Sequence, residues 1–336
     1  MGASGWVGSS VHPAMPSSGS PGGSILVVGG THGNERNAPW LLQQWQTNPA
    51  GLRNPGLALE LVLGNPAAYR AGCRYIERDL NRCFDPRLLA DPSLQLLELS
   101  RARELLQRHG PEAPQPALVA LDLHSTTAAM GNSLVVYGRR PADLALAAGL
   151  QLHLGLPIYL HEADAAQTGF LVERWPCGLV IEVGPVPQGV LDPSICRQSQ
   201  LALEMALLLL DQAARDSVRL PPQLVVHRHR GSVDVPRLAD GSPTALLHPH
   251  LQGADWRPLR PQDPVFMGPE GQTIHLAQVV PAHLAAEGPL WPVFINEAAY
   301  GEKGIAFSLT SRETWPLPPD AAAALAALAR RLRRCA

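Results

Sequence analysis

Ile25-Leu26-Val27-Val28-Gly29-Gly30-Thr31-His32-Gly33-Asn34-Glu35 is the stretch on which the fold turns. Its short apolar run predicts a buried strand, the glycine pair a tight turn, and the pattern from about Ala38 to Gln46 a helix. The alternation then repeats. Leu57–Leu63, Ala117–Leu123, Leu134–Tyr137 and Leu179–Val183 are expected strands. Between them, Ser93–Arg108 (with Ser93 as its cap), Ala142–Leu152 and Ser194–Ala214 are expected helices. Strands alternating with helices predict an α/β fold, a mostly parallel sheet flanked by helices.

The texture changes after Leu220-Pro221-Pro222, where short apolar runs broken by Gly and Pro predict a β-rich segment to about Leu309. Pro319–Arg334 reads as a closing amphipathic helix. The expected organisation is a disordered Gly/Ser/Pro tail over 1–24, an α/β domain over 25–218, a smaller β-rich domain over 219–317 and a helix over 318–336.

Composition narrows the partners. The 336 residues carry 27 basic and 29 acidic side chains, and the net charge of −2 leaves no footprint for nucleic acid or an anionic membrane. Lys303 is the single lysine, so arginines must do any local work on anions. The five cysteines are odd in number and lack CxxC spacing, which predicts buried, reduced thiols in a cytoplasmic protein. The start lacks the charge and apolar core of a secretory signal. The richest apolar run, Leu201–Leu210, is broken by Glu204 and falls short of the ~18–20 residues of a membrane span.

Three strand ends carry chemistry. His32 and Glu35 stand on the turn after the first strand, where open α/β sheets place their ligands. An imidazole and a carboxylate spaced this way can share one metal ion, although His-x-x-Glu alone is common. In Asp122-Leu123-His124-Ser125-Thr126-Thr127, His124 offers a third ligand and Asp122 can orient a ligand histidine; taken singly, His124 is as readily a satisfied core residue. Glu182, inside the apolar run Ile181–Val183, is either half of a buried salt bridge or a general base acting on water beside a metal. Together the three ends point to metal-assisted hydrolysis. A fourth segment, Arg74-Tyr75-Ile76-Glu77-Arg78-Asp79-Leu80-Asn81-Arg82, suits a small anionic substrate, since guanidinium groups grip carboxylates with two bonds. His227/His229 are expected to be solvated, and His248/His250 to be a loop pair without a metal.

GGTHGNE, RYIERDLNR, DLHSTT, IEVGPVPQGVL and Pro292-Val293-Phe294-Ile295-Asn296-Glu297-Ala298-Ala299-Tyr300 follow one another across about Ser24 to Leu309. In this order they resemble the aspartoacylase/succinylglutamate desuccinylase family, of the zinc carboxypeptidase-like superfamily. The resemblance implies a carboxypeptidase-like catalytic domain with the β-rich domain capping its active site. It implies one zinc ion per chain on His32, Glu35 and His124, with Glu182 moving the proton from water to the leaving amine. Arg74 would stabilise the oxyanion, Asn81 and Arg82 would hold the α-carboxylate, and Tyr75 and Tyr300 would add hydrogen bonds. The implied reaction splits N-acetyl-L-aspartate into acetate and L-aspartate, in a chain that could pair as a homodimer.

Four places depart from the family pattern. Gly301 follows the tyrosine motif where a second tyrosine is expected, Ser125 stands where Asn is common, and Leu276–Gly288 looks like an insertion. The arginine expected to read the side-chain carboxylate is Val172 here, with Arg174 the nearest substitute. Deacylation of aromatic or S-conjugated N-acyl amino acids, and desuccinylation, therefore stay open beside the aspartate reaction. A silent metabolite-binding fold would have lost a ligand or the base, and all four are present. A true carboxypeptidase would lack the tyrosine motif.

Overall fold

The computed structural model describes residues 22–162, 164 and 167–332. Its opening run forms strand β1 (Ser24–Gly29), buried throughout. Leu59–Leu63 (β2), Ala117–Ser125 (β3), Gly131–Tyr137 (β4), Ile158–His161 (β5) and Cys177–Gly184 (β6) follow. Later come Gln223–Val233 (β7), Leu246–Leu247 (β8), Pro264–Met267 (β9), Thr273–His275 (β10), Trp291–Val293 (β11) and Phe307–Pro316 (β12). Among the described residues one sheet runs β11-β12-β7-β5-β4-β6-β3-β1-β2, and a small one β10-β9-β8. In the large sheet the β4–β6, β7–β12 and β11–β12 pairs are antiparallel and the other five parallel. The fold is the expected α/β class, a mostly parallel sheet flanked by helices, with a β-rich C-terminal part.

Strand side chains alternate between two faces. Ile25, Val27, Leu121, Leu123, Leu179, Ile181 and Val183 face one core, shared with the helices Asn37–Thr47, Pro141–Leu154, Pro193–Ala214 and Ala321–Arg330. Leu26, Val28, Ala120 and Val180 face the other, with Phe84, Leu99, Phe170 and Trp175. Asp122, His124 and Glu182 fall in the second alternation, on the face that packs helix Leu97–His109. Helix Pro193–Ala214 starts where Asp192 accepts from the Ser194 and Ile195 amides, at 2.7 and 3.1 Å.

Several expectations need correction. The helix expected from Ser93 begins at Leu97. Ser93 caps nothing, because its hydroxyl and its amide both turn to Asp91 Oδ1, at 2.6 and 2.9 Å. Ser24, placed in the tail, already belongs to β1; residues 1–21 of that tail, Cys335 and the end of the closing helix lie outside the described residues. His227 and His229 are buried, 6% and 8% exposed, because β7 is an interior strand between β5 and β12. Both long strands of the 219–317 stretch, β7 and β12, thus join the main sheet, while the chain between them packs a core of its own around Val265, Phe266 and Phe307. The stretch Leu276–Gly288, expected to be an insertion, contains two short helices, Leu276–Val279 and Ala282–Ala286. Cys73, Cys83, Cys177 and Cys196 are free thiols, all but Cys73 buried.

Asp255 is buried within the C-terminal part. Its Oδ1 accepts from the Ile295 amide at 3.1 Å, while Oδ2 is buried without a partner. Burial lifts its carboxyl to about 6, against the pull of the Ile295 amide. A raised folded-state value means that stability is fully present below the ordinary aspartate range and is lost as pH rises through 6. Asp255→Asn keeps the acceptor and removes the charge. It should raise stability by about 2–3 kcal/mol at pH 8 and leave it nearly unchanged at pH 4, read from paired thermal melts.

Candidate active site

Parallel register sets His124 directly beside Glu182 at the carboxyl ends of β3 and β6. β1 lies on the other flank of β3, its last residue Gly29 opposite Leu123, so the following turn brings His32 and Glu35 to the same edge. That turn tolerates no side chain at Gly33, where a Cβ would sit 2.1 Å from the Ala68 carbonyl carbon. The close approach seats the loop against helix Pro66–Ala71.

His32, Glu35 and His124 are buried, and their candidate ligand atoms lie within 4.8 Å of one another. Glu35 sits between the rings, 2.6 Å from His32 Nδ1 and 3.2 Å from His124 Nδ1. Each ring's Nε2 rests on a carboxylate, His32 on Asp79 at 3.1 Å and His124 on Asp122 at 2.7 Å. Asp122 is fixed in turn by the Thr31 hydroxyl, which donates to it at 2.8 Å. Carboxylates behind both rings commit the Nε2 atoms and present the Nδ1 atoms to an ion. Two imidazoles and one carboxylate are a donor set that fits a catalytic zinc.

Electrostatics follow from burial and pairing. Burial pushes the Glu35 carboxyl up, but His124 and His32 outweigh it and hold it well below the carboxylate range. Asp79 behaves alike, its burial overcome by His32 and Arg74. Glu182 goes the other way: burial drives its carboxyl well above the ordinary value against the pull of His124. A candidate ligand carboxyl and the carboxylate behind His32 kept charged, beside one that readily keeps a proton, is the division of labour expected of a metal site and a general acid–base.

The anion segment is tied down from beneath. Glu98, fully buried in the first turn of helix Leu97–His109, accepts the amides of Ile76, Glu77 and Arg78 at 2.6, 3.1 and 3.1 Å, and Asn65 Nδ2 at 3.2 Å. So held, the segment aims Arg74 at Asp79, 3.2 Å away, and toward Glu35, 3.9 Å away. Arg82 donates to Gln167 Oε1 at 2.8 Å and stacks 4.1 Å over the Phe170 ring. Asn81 Oδ1 accepts from the Leu171 amide at 2.8 Å.

His32, Glu35, His124, Glu182, Arg74, Asn81, Arg82 and Tyr300 all line one cavity. Tyr75 does not; its hydroxyl donates to Glu302 at 3.0 Å, away from the cavity wall. Arg174 is not there either. It is exposed at the end of the turn Leu171–Arg174, while Val172 is buried in the core. Where a side-chain carboxylate reader was expected, the wall offers Tyr137, Tyr159, His161, Phe170 and Phe294.

Sequence reasoning passed over Glu297. Its carboxylate accepts from the Thr126 hydroxyl, from the Thr127 amide at 2.7 Å and hydroxyl at 2.9 Å, and from the Ala128 amide at 3.3 Å. It clasps the end of β3 to the segment bearing Tyr300. The signal was present: an acid inside the apolar run Val293–Ala299, the same argument that singled out Glu182.

Residues 21–210 match the succinylglutamate desuccinylase/aspartoacylase catalytic domain, and residues 222–312 the AstE/AspA barrel-sandwich hybrid domain. The chain belongs to the succinylglutamate desuccinylase/aspartoacylase family. Within this family it is 60% identical over 296 residues to a "Probable aspartoacylase" of Synechococcus sp. (strain CC9605), covering 88% of this chain and 94% of the relative. It is 52% identical over 294 residues to that of Prochlorococcus marinus (strain MIT 9313), with shares of 88% and 94%. Among solved structures, murine aminoacylase 3 superposes with a TM-score of 0.78 at 35% identity, covering 90% of this chain and 99% of the mouse chain. Among the described residues no helix is long and apolar enough to cross a membrane.

Proposed function

We propose that this chain is a zinc-dependent amidohydrolase that removes the acyl group from small N-acyl-L-amino acids, with aromatic or other bulky side chains preferred. The observation that carries the proposal is the His32–Glu35–His124 cluster with Glu182 in register beside His124 and Arg74 close by. Zinc held by His32, Glu35 and His124 would acidify water and polarise the amide carbonyl. Glu182 takes the proton that the attacking water gives up and delivers it to the amide nitrogen as the C–N bond breaks. Arg74 donates to the oxygen on which negative charge develops. Asn81 and Arg82 hold the α-carboxylate, and because Gln167 and Phe170 already fix Arg82, little ordering cost remains at binding. Tyr300 closes the cavity from the C-terminal part and limits the substrate to a small one.

Side-chain preference rests on the wall. Its rings favour an aromatic or S-conjugated substrate, and Arg82 and Arg74 are already engaged at the carboxylate and the carbonyl. The names of the cyanobacterial relatives favour aspartate instead. Values of kcat/KM for N-acetyl-L-tyrosine and N-acetyl-L-aspartate decide between them. The expected ratio is at least about 10 in favour of tyrosine; a ratio inverted to favour aspartate overturns the aromatic preference and leaves the hydrolase standing.

A further inference from the structure

A second pair of imidazoles meets a carboxylate on the far side of the cavity. His161 Nε2 lies 3.6 Å and His229 Nε2 3.5 Å from Asp164 Oδ2, and the three candidate ligand atoms fall within 4.8 Å of one another. Donors about 2.0–2.2 Å from a tetrahedral ion stand roughly 3.3–3.6 Å apart, so these spacings suit one shared ion. His161 is 7% exposed, and its Nε2 is buried without a hydrogen-bond partner. The ring cannot readily turn to find one, because Tyr137, Tyr159 and Phe170 all meet it at steep angles. His229 is held from behind, its Nδ1 2.8 Å from the Tyr159 hydroxyl, which leaves Nε2 toward Asp164. Gln167 Nε2 also approaches Asp164 Oδ2, at 3.4 Å.

We propose that His161, Asp164 and His229 form a second site for a divalent first-row transition ion of the zinc class, distinct from the His32–Glu35–His124 cluster. Two imidazoles and one carboxylate suit such an ion better than magnesium or calcium, which take oxygen donors. The ion would staple the segment after β5 to strand β7. That segment carries Gln167 and Phe170, the two groups that fix Arg82. The site lies between two cavities, since His161 lines the active-site cavity and Asp164 and His229 line its neighbour.

Cobalt loading of the full chain tests this without any activity readout. The expected uptake is about two ions per chain in the native sequence and about one in Asp164→Asn or His229→Gln, measured by elemental mass spectrometry after desalting. A His32→Gln/His124→Gln double variant should retain one ion with the visible absorption of four-coordinate cobalt, and should lose it when Asp164→Asn is added. Uptake of a single ion by the native chain, or uptake unchanged by both Asp164→Asn and His229→Gln, overturns the proposal. If the double variant fails to fold, the fall from two ions to one in the single variants decides.

Discussion

Replacing Glu182 by glutamine is expected to lower kcat by about 10³–10⁴-fold while metal content stays unchanged. The side chain is isosteric, and Glu182 is not among the three clustered ligand residues, so removing its charge should not release the ion. What disappears is the group proposed to carry a proton between water and the leaving nitrogen. Burial already disfavours the charged carboxyl, so the amide should leave the melting temperature unchanged or raise it. That pattern separates a lost proton carrier from a damaged fold. Steady-state hydrolysis, elemental analysis and a thermal melt on one preparation give all three readouts. If Glu182→Gln kept kcat within tenfold of the native value, another group would have to be the base.

The second large effect is expected far from any reacting atom. Glu98→Ala leaves three backbone amides and the Asn65 side chain without the acceptor that now collects them. Each amide loses a charge-assisted bond inside the protein, and water can replace only part of it. A loss of about 3–5 kcal/mol follows, with a fall in melting temperature of roughly 4–7 °C. The same segment bears Arg74, Asn81 and Arg82, so KM should rise more than tenfold at any temperature where the fold persists. Glu98→Gln keeps one acceptor oxygen and should fall in between. An unchanged melt for Glu98→Ala would show that the segment holds its shape without the carboxylate.

Much of this arrangement was legible in the sequence because it sits where periodicity breaks. His32, Glu35 and His124 stand at strand ends, and Glu182 interrupts an apolar run, so each is visible as an exception to its own pattern. β5 was missed: four residues, Ile158–His161, are too short to show alternation. Its absence hid the interior position of β7, and that is why His227 and His229 looked solvated. Asp79 was lost among the neighbouring charges of Glu77-Arg78-Asp79, while Glu98 sits in Leu96-Leu97-Glu98-Leu99, where the acid-in-an-apolar-run signal was present and was passed over. The aromatic wall is drawn from four separate segments, and no window along the chain contains it.

The threading of β7 and β12 through the large sheet bears on the order in which the protein is made. All three clustered ligand residues and Glu182 have emerged once the ribosome has passed β6, yet β5 still lacks the neighbour that β7 supplies. A chain halted at residue 218 would carry the His32–Glu35–His124 cluster and Glu182 on a sheet with an open, apolar edge at Ile158-Tyr159-Leu160, ready to pair with another chain. Tyr300 and the Glu297 clasp arrive later still. The sheet that carries the candidate site is therefore completed only by the chain beyond residue 222, and a nascent chain stays unfinished until both long strands have found their places.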